Sequence, residues 1–423
     1  MDTEEPIRLT DHCIRSRKID RDALRVLRRL HDFGFYAYLV GGSVRDLLIG
    51  RKPKDFDVVT SAQPQEIKRL FRRCRLIGRR FRLAHIMGED GKIIETATFR
   101  AKPKDLEQGQ IIFDDNQFGT PRSDALRRDF TVNALFYDAH RDEVIDYADG
   151  LTDLNSRLLR TIGHPVTRFR EDPVRMLRAV KFAARLNFSI EEQTRAAILS
   201  ERAEIGKAAL PRLYEEISRL IGGGASLASI RLLDDLRLLE VLVPELAATL
   251  SRATQSERDR IDQLFETLDS RVLNEQKVPN SLLFSALMWP VIEAIVADLP
   301  EPVAPSRIRT LVEELTRPLA IRVCVPRRVM ESAIAAIEGQ LRFPRIVRKK
   351  QARAAFSRTP HYGDTIAFAQ LRAEALQLPD ALADQWKKIA LEYPPRPPQK
   401  RERQPRRRQR GRRNNRSDTS RSR

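Results

Sequence analysis

Two short motifs early in the chain have residue types and spacing that suit phosphate and metal chemistry. Residues 41–46 read Gly-Gly-Ser-Val-Arg-Asp, and they are predicted to connect a strand to the start of a helix. At such a turn glycines allow an anion to approach closely, free backbone N–H groups point toward it, and an arginine adds charge. A Gly-Gly pair alone is more often an ordinary strand–turn–helix connection, so this interpretation depends on a second signal.

The second signal is Asp55-Phe56-Asp57, which begins thirteen residues after Gly42. Residues two apart on a strand share a face, so both carboxylates are predicted to lie side by side. Two adjacent negative charges call for a cation, and Mg²⁺ prefers carboxylate and phosphate oxygens. Two Mg²⁺ ions would activate an attacking hydroxyl and stabilise a leaving pyrophosphate. Glu95, on a predicted strand over residues 93–99, is a candidate third carboxylate, although Asp-x-Asp alone is typical of a solvated strand start.

In this order the two motifs resemble the signature of the nucleotidyltransferase branch that holds bacterial poly(A) polymerases and tRNA CCA-adding enzymes. Three further segments are similar to motifs of that family and follow in the family's order. They are Arg-Arg-Asp-Phe-Thr-Val-Asn-Ala at 127–134, Asp-Gly at 149–150 with Asp-Leu at 153–154, and Glu-Asp-Pro-Val-Arg at 171–175. The resemblance is clear over residues 24–186 and weaker to residue 393.

The resemblance implies an enzyme that adds nucleotides to RNA 3′ ends without a template. It implies ATP as substrate and two Mg²⁺ ions held by Asp55 and Asp57, with Glu95 as a further catalytic carboxylate. The residues expected to position the triphosphate are Gly41, Gly42, Ser43, Arg45, Arg128 and Asp129.

The third family segment suggests how the base is read. Asp172 and Arg175 are three apart on a predicted helix over residues 172–186, and Arg178 is one step further along the same face. A carboxylate accepts from an exocyclic amine while a guanidinium donates to a ring nitrogen. Adenine and cytosine both present that pair, so the motif favours ATP or CTP over GTP or UTP. The plain alternative is a surface salt bridge.

A basic segment favours ATP alone. Residues 77–85 read Ile-Gly-Arg-Arg-Phe-Arg-Leu-Ala-His and resemble a stretch that marks the bacterial poly(A) polymerase group, where the CCA-adding group is less basic. We therefore expect a polynucleotide adenylyltransferase with a role in mRNA polyadenylation and RNA turnover. The alternatives are a tRNA CCA-adding enzyme and a catalytically silent RNA-binding protein. Loss of a carboxylate would indicate the silent protein, but Asp55 and Asp57 are both present.

The charge of the chain indicates a polyanionic partner. Lys and Arg number 77 against 58 Asp and Glu, a formal net charge of +19, which favours a nucleic-acid partner. The resemblance implies that this partner is RNA 3′ ends, with no DNA expected. Residues 396–423 contain 13 basic residues and few apolar ones, and are predicted to be a disordered Arg-rich tail. Proteins of RNA turnover are further expected partners. A basic strip expected to contact RNA consists of Arg345, Arg348, Lys349, Lys350 and Arg353.

Cysteine usage and hydropathy favour a cytoplasmic protein that does not require a membrane. The three cysteines lie far apart in the sequence and suggest neither disulfides nor a zinc site. The first ten residues lack the apolar segment of a signal peptide. The apolar stretch 281–296 contains Pro290 and Glu293 and is shorter than the roughly 20 residues that span a bilayer, so we predict a buried core helix.

From the hydrophobic patterns and the family resemblance we expect an α/β catalytic head with a mixed, nucleotidyltransferase-like sheet, followed by an all-helical neck and body. The predicted domains are a head at 1–150, a neck with the base-reading helix at 151–222, an RNA-binding body at 223–395 and the tail at 396–423. Within the head, the hydrophobic patterns predict the following elements. They are helices 22–33 and 65–73, strands 35–40, 56–60, 83–87 and 93–99, and a long loop at 101–123.

Overall fold

The computed structural model describes residues 5–78, 83–101, 118–299, 304–347, 354–376, 388–389 and 391–392. In this part of the chain a mixed α/β head precedes a helical region, as the sequence predicts.

An eight-stranded mixed sheet forms the centre of the head. Its strands are β1 (Ile7–Leu9), β2 (Ala37–Val40), β3 (Asp57–Thr60), β4 (Cys74–Ile77), β5 (Leu83–Met87), β6 (Ile93–Thr98), β7 (Phe136–Asp138) and β8 (Glu143–Asp146). Their order across the sheet is β1-β8-β7-β2-β3-β6-β5-β4, and β3 and β6 are the parallel neighbours. All four residues of β2 are buried, because this strand lies in the middle of the sheet and is covered on both faces.

Short helices connect and cover the strands of the head. They are α1 (Arg21–Asp32), α2 (Gly42–Leu48), α3 (Pro64–Leu70), α4 (Pro121–Leu126) and α5 (Gly150–Asn155), with a 3-10 turn at Thr131–Asn133. Helix α1 matches the predicted helix, and the Asp20 carboxylate caps it by accepting from the backbone N–H groups of Asp22 and Ala23. Its buried residues recur at helical spacing, so one face packs on the sheet.

Three features of the head were not predicted. Helix α3 ends at Leu70, and the chain then forms the edge strand β4 instead of extending the helix to residue 73. Strand β1 pairs with β8 near the N-terminus, where no strand pattern is visible. Helix α4 starts inside the predicted loop, because Thr120 caps it and Pro121 occupies its first position. Residues 102–117 of that loop lie outside the described residues.

Beyond the head the chain is helical apart from a small parallel sheet of β9 (Leu158–Leu159) and β10 (Ser189–Ile190), which was not predicted. The helices of the predicted neck are α6 (Pro165–Glu171), α7 (Val174–Leu186), α8 (Glu192–Glu201) and α9 (Leu210–Ile221), and α10 (Ser226–Asp235) is the next helix along the chain. They are followed by α11 (Leu239–Leu242), α12 (Pro244–Arg252), α13 (Gln255–Leu273), α14 (Asn280–Ala297), α15 (Pro305–Arg322), α16 (Arg327–Val347) and α17 (Tyr362–Ala375).

Helix α14 is the predicted apolar core helix. In the part of the chain that the structure describes, it is the one helix long and apolar enough to cross a membrane, yet 67% of its apolar window is buried inside the protein. One hydrophobic cluster extends from α1 through α7 to α16 and packs the head against the helices. A second cluster, built around Tyr38, Phe99 and Phe136, covers the other face of the sheet.

Candidate active site

The glycine turn lies beside the aspartate pair because of strand pairing. Val40, the last residue of β2, is the antiparallel partner of Asp57, the first residue of β3. Gly41 follows directly with a φ of 74°, a conformation that side chains with a Cβ rarely adopt. Its N–H donates to the carbonyl oxygen of Leu135 at 3.1 Å. The two motifs that are separate in the sequence therefore meet at one edge of the sheet.

Three carboxylates line one cavity of about 720 Å³ between the head and helices α7, α9 and α10. Asp57 begins β3, and Asp55 precedes the strand, so the two do not share a strand face in the predicted way. Glu95 lies on the parallel neighbour β6, one residue before Thr96, the partner of Val58. The structure thus brings together the three predicted carboxylates.

Burial and the neighbouring charges raise the pKa of Asp57 to about 6. Burial is the main cause, and the nearby negative charges of Glu95 and Asp55 add to it, while Arg128 acts in the opposite direction. His85 is the cross-strand partner of Glu95, and its Nε2 lies 3.6 Å from a Glu95 oxygen. The three carboxylates therefore concentrate negative charge at the start of β3, in a cavity whose lining also contains basic residues of the head and of helices α7 and α9.

These donors fit Mg²⁺ if substrate completes its coordination. Among the described residues, no three side chains of His, Cys, Asp or Glu converge closely enough to hold a metal ion by themselves. Mg²⁺ characteristically keeps several waters and is bound by one or two carboxylates together with substrate phosphates. The carboxylates of Asp55 and Asp57 suit that mode, and a cation would relieve the repulsion that raises the pKa of Asp57.

Arg128 provides the positive charge at the glycine turn. Its Nη2 donates to Asp124 at 2.8 Å, while Nη1 lies 3.4 Å from where a Cβ on Gly41 would be. The carboxylate of Asp124 is fully buried and also accepts from Arg127. Burial alone would raise the pKa of Asp124, but Arg128 and Arg127 hold it below its usual value. Asp124 lies outside every family segment, so the sequence did not reveal this support.

Arg45, predicted to position the triphosphate, lies in a buried network beside the glycine turn. This residue is 3% exposed, and its guanidinium donates to Asp46 at 2.9 Å and to the side-chain oxygen of Asn133. It also packs over the ring of Phe182 at 5.3 Å. Helix α2 directs this side chain into the protein, where Arg45 ties the turn to the 127–134 segment. Its Nη2 lies 3.5 Å from where a Cβ on Gly42 would be, although Arg45 is not in the described lining of the cavity. Ser43 is likewise buried and donates to the Val40 carbonyl at 3.1 Å.

Asp129 connects the head to the neck. Its Oδ2 lies 2.6 Å from Nη2 of Arg178 on α7, and its Oδ1 accepts from Asn133. Burial opposes ionisation, but these donors lower the pKa of Asp129 to about 2. Arg178 also approaches Glu216 of α9 at 3.6 Å. Asp129 is thus a buried anchor between elements, where the sequence predicted a triphosphate-positioning residue.

The predicted helix over 172–186 is wrong at its start. Asp172 ends α6 with a φ of −152°, and α7 begins only at Val174. The cause is Pro173, since a residue before proline is disfavoured in the helical region. Asp172 instead accepts two hydrogen bonds from Arg212, at 3.0 and 2.8 Å. Asp172 and Arg175 therefore do not share a face of one helix.

The base-reading candidates lie at the start of α7, away from the described cavity lining. Arg175 donates to the Arg168 carbonyl at 2.7 Å and to Glu171 at 3.1 Å. The α7 residues that line the cavity come later in the helix. They are Lys181, Phe182 and Arg185.

Arg168 is a second residue that the sequence did not mark. It is 2% exposed, and its Nη2 donates to the backbone carbonyls of Arg127 at 2.6 Å and Arg128 at 2.7 Å. Its Nη1 also donates to Glu171 at 2.7 Å, but the two main-chain acceptors lie 41 and 40 residues away and could not be inferred from the motifs. Arg168 holds the backbone that carries Arg128.

The Asp-Gly and Asp-Leu pairs support the same segment. A Cβ on Gly150 would lie 2.4 Å from the Thr131 carbonyl oxygen, so only glycine fits this contact. The buried carboxylate of Asp153 accepts from the Thr131 hydroxyl at 2.7 Å and from Arg160. The Asp-Gly and Asp-Leu pairs therefore hold the 127–134 segment in place through contacts with Thr131.

The predicted RNA strip falls largely outside the described residues. Arg345 belongs to the last turn of α16, and its side chain is not described. The residues of the strip that lie outside the described part are Arg348, Lys349, Lys350 and Arg353. The same holds for residues 79–82 of the basic segment and for the tail at 396–423.

Comparison with known proteins agrees with this architecture. Two family models match: the poly A polymerase head domain over residues 37–160, and a probable RNA and SrmB-binding site of polymerase A over residues 187–250. The chain is 43% identical to poly(A) polymerase I of Salmonella typhi over 293 residues, 67% of this chain and 63% of that protein. The chain is a homologue of poly(A) polymerase I.

Two further relatives show how close the CCA-adding branch lies to this poly(A) polymerase homologue. It is 35% identical to the CCA-adding enzyme of Bacillus velezensis over 268 residues, 63% of this chain and 64% of that protein. The fold matches the Bacillus stearothermophilus CCA-adding enzyme in complex with CTP, with a TM-score of 0.66 at 23% identity, covering 88% of this chain and 82% of that one. The chain spans less than two-thirds of the length of its curated relatives.

Proposed function

We propose that this poly(A) polymerase homologue is a template-independent polynucleotide adenylyltransferase. It transfers AMP from ATP to the 3′-hydroxyl of RNA and releases pyrophosphate. The observation that carries this proposal is the meeting of Asp55, Asp57 and Glu95 in one cavity beside the glycine turn. Nucleotidyl transfer requires metal-binding carboxylates next to a site for phosphate, because the reacting groups are a hydroxyl and a triphosphate.

In this proposal Asp55 and Asp57 are the protein's ligands for two Mg²⁺ ions. When bound, Mg²⁺ supplies a Lewis acid that favours loss of the hydroxyl proton and neutralises the leaving pyrophosphate. Glu95 is the third carboxylate and adds to the negative potential that attracts the cations. His85 orients Glu95 across the strand pair and needs no proton-transfer role.

The triphosphate is proposed to lie along the turn at Gly41 and Gly42. The absence of side chains at these positions leaves room there, and Nη1 of Arg128 is directed at the same place. Arg45, Ser43 and Asp129 act as positioning residues, since each holds an element of the turn through buried contacts. In this proposal the triphosphate contacts the backbone of the glycine turn and the guanidinium of Arg128, which Asp124 holds in position.

Base selection is proposed for the residues at the start of α7. Arg212 orients the carboxylate of Asp172, and Glu171 orients Arg175, so that one acceptor and one donor are available to a base. Arg178 fixes the helix to the head through Asp129. We expect Arg175→Ala to weaken ATP use and relax discrimination against GTP and UTP in single-nucleotide incorporation assays. An unchanged preference for ATP would remove Arg175 from this role.

The second candidate function is addition of CTP and then ATP to tRNA, favoured by the 35% identity to a CCA-adding enzyme. Incubating the full chain with a generic RNA and each of the four nucleoside triphosphates separately tests both. We expect extension with ATP alone. Addition of CTP followed by a single AMP on a tRNA that lacks its 3′ end would establish the second candidate. No incorporation at all would indicate a silent RNA-binding protein.

We further propose the domain division at residues 150, 222 and 395, with a cytoplasmic location and a basic tail. The glycines at 222–224 separate α9 from α10 and support a joint there. The match of residues 187–250 to a probable RNA and SrmB-binding site supports contacts of the helical part with RNA and with RNA-turnover proteins. Pull-down of such proteins with the full chain, with and without ribonuclease, separates direct from RNA-mediated contacts.

A further inference from the structure

A second large opening lies on the head, away from the carboxylates. It is a groove of about 970 Å³ between α1, the end of α3 and the hairpin of β5 and β6. Successive residues of a strand face opposite sides of a sheet. His85 lines the cavity and Ile86 lines the groove, so the two openings lie on opposite faces.

The groove is strongly basic. Six of its lining residues are arginines, and two are aspartates. Arg25 pairs with Asp22 and Glu89, and Arg29 donates to the Leu70 carbonyl. The guanidinium groups of the other four have no hydrogen bond or ion pair with any part of the chain that the structure describes. These arginines are Arg21, Arg28, Arg72 and Arg73.

An exposed aromatic ring stands among these charges. Phe33 ends α1 with 58% of its surface exposed, and the guanidinium of Arg29 lies 5.7 Å from its ring centroid. Proteins that hold single-stranded nucleic acid combine basic groups, which follow the phosphates, with aromatic rings, on which bases stack. Exposed aromatic surface and unpaired arginines in one groove match that combination.

We propose that this groove binds single-stranded RNA upstream of the 3′ end that reacts in the cavity. The inference rests on the proposed RNA substrate and adds a second contact on the opposite face of the head. The arginines would contact phosphates, and Phe33 would stack on a base. The contact is independent of sequence, because phosphates and base faces are common to every RNA.

Binding of labelled oligoadenylate to the full chain tests the charges. The variant combines Arg28→Gln, Arg72→Gln and Arg73→Gln. The matched control removes the same charge from nearby exposed residues outside the groove, by Lys68→Gln, Arg69→Gln and Arg75→Gln. For an oligomer of about 20 nucleotides we expect about tenfold weaker binding in the variant and a salt slope lower by about 2, since each single-strand phosphate contact contributes about 0.7.

The control variant and a short RNA distinguish binding in the groove from a general effect of net charge. An oligomer of about 6 nucleotides should show a smaller difference between variant and wild type, because fewer of its phosphates can reach the groove while its 3′ end lies in the cavity. Equal losses in variant and control would overturn the proposal, because net charge alone would explain them. Unchanged binding of the long oligomer would also overturn it and would favour an acidic protein segment as the occupant.

Phe33→Ala tests stacking separately from charge. Loss of one stacked base costs about 1–3 kcal/mol, so we expect at least about fivefold weaker binding of the long oligomer. Tyr36→Ala is the control, because Tyr36 is 64% exposed and lies outside the groove lining. Equal effects of the two substitutions would refute stacking at Phe33. Both assays measure binding without catalysis, so a failure of adenylyl transfer would not be mistaken for a failure of this groove.

Discussion

The cavity and the groove on the two faces of the head treat arginine in opposite ways. Around the glycine turn beside the cavity, Arg45, Arg128 and Arg178 each bind a carboxylate that is buried or nearly so. In the groove, the guanidinium groups of Arg28, Arg72 and Arg73 have no partner among the described residues. A paired guanidinium has one position, whereas an unpaired one adapts to whatever phosphate arrives. The difference teaches that this protein uses fixed charge for chemistry and free charge for attraction.

The largest effect is expected from removing a carboxylate of the cavity. Asp57→Ala or Asp55→Ala should abolish nucleotide addition, because each is a proposed metal ligand, and should leave the fold intact, because neither side chain is a core contact. Incorporation assays and circular dichroism measure the two outcomes. Asp90→Ala, an exposed position in the neighbouring hairpin turn, is the control and should retain activity. Substantial addition by both variants would overturn the proposed mechanism.

The next prediction tests whether fixed charge at the cavity depends on its buried partner. Asp124→Ala leaves Arg127 and Arg128 without their shared carboxylate. We expect a loss of about 3 kcal/mol in the free energy of unfolding, the lower part of the range for a buried pair, since both arginines remain about one-fifth exposed. Denaturant unfolding measures it, with the exposed Asp11→Ala as control. A stability equal to that of the control would show that Arg128 needs no such partner.

The same comparison explains how far the sequence predicted the site. The glycine turn and the aspartates were found because each motif is local and the strands that bring them together have clear hydrophobic patterns. The direction of the Arg45 side chain and the helical position of Asp172 were mistaken for local reasons. Helix α2 directs Arg45 inward, and Pro173 ends the helical conformation before Asp172 can join α7.

The remaining omissions depend on contacts between distant residues. Asp124 and Arg168 support Arg128 through a buried carboxylate and through main-chain carbonyls, neither of which leaves a pattern in the sequence. Strands β1 and β4 are short edge strands, and pairing with a neighbour defines them more than their own alternation does. The groove was missed because its arginines come from α1 and from the turn before β4.

A smaller effect is expected at the glycine turn. Gly41→Ala and Gly34→Ala both place a Cβ at positive φ, 74° and 83°, and each should cost about 1–2 kcal/mol of stability. Only Gly41 has a neighbour at the cavity, Nη1 of Arg128 at 3.4 Å from the new atom. We expect Gly41→Ala alone to lower kcat/KM for ATP by about tenfold, equivalent to about 1.4 kcal/mol. Equal kinetics in the two variants would show that the turn does not contact substrate.

The smallest effect on catalysis is expected from deletion of the basic tail. The tail is a third kind of basic region, because its charges belong to a segment that is predicted to be disordered. Residues 396–423 contain 13 basic residues against Glu402 and Asp418, and deleting them removes more than half of the formal net charge of +19. The rate of the chemical step should not change, because the tail is predicted to be disordered and a disordered segment is not expected to shape the active site.

Binding of RNA by the truncated chain should instead become weaker and less sensitive to salt. Each phosphate neutralised on a single strand contributes about 0.7 to the slope of log affinity against log salt, so three or four tail contacts correspond to a slope that is lower by about 2 to 3. Titrations from low to moderate salt measure it, and single-turnover addition at saturating RNA checks the chemical step. If the slopes are identical, the tail binds something other than RNA, and the salt dependence comes from the groove and the helical body. If the single-turnover rate falls, the tail contributes to catalysis as well as to RNA binding, and the proposed separation of paired charges for catalysis from unpaired charges for RNA binding does not hold for the tail.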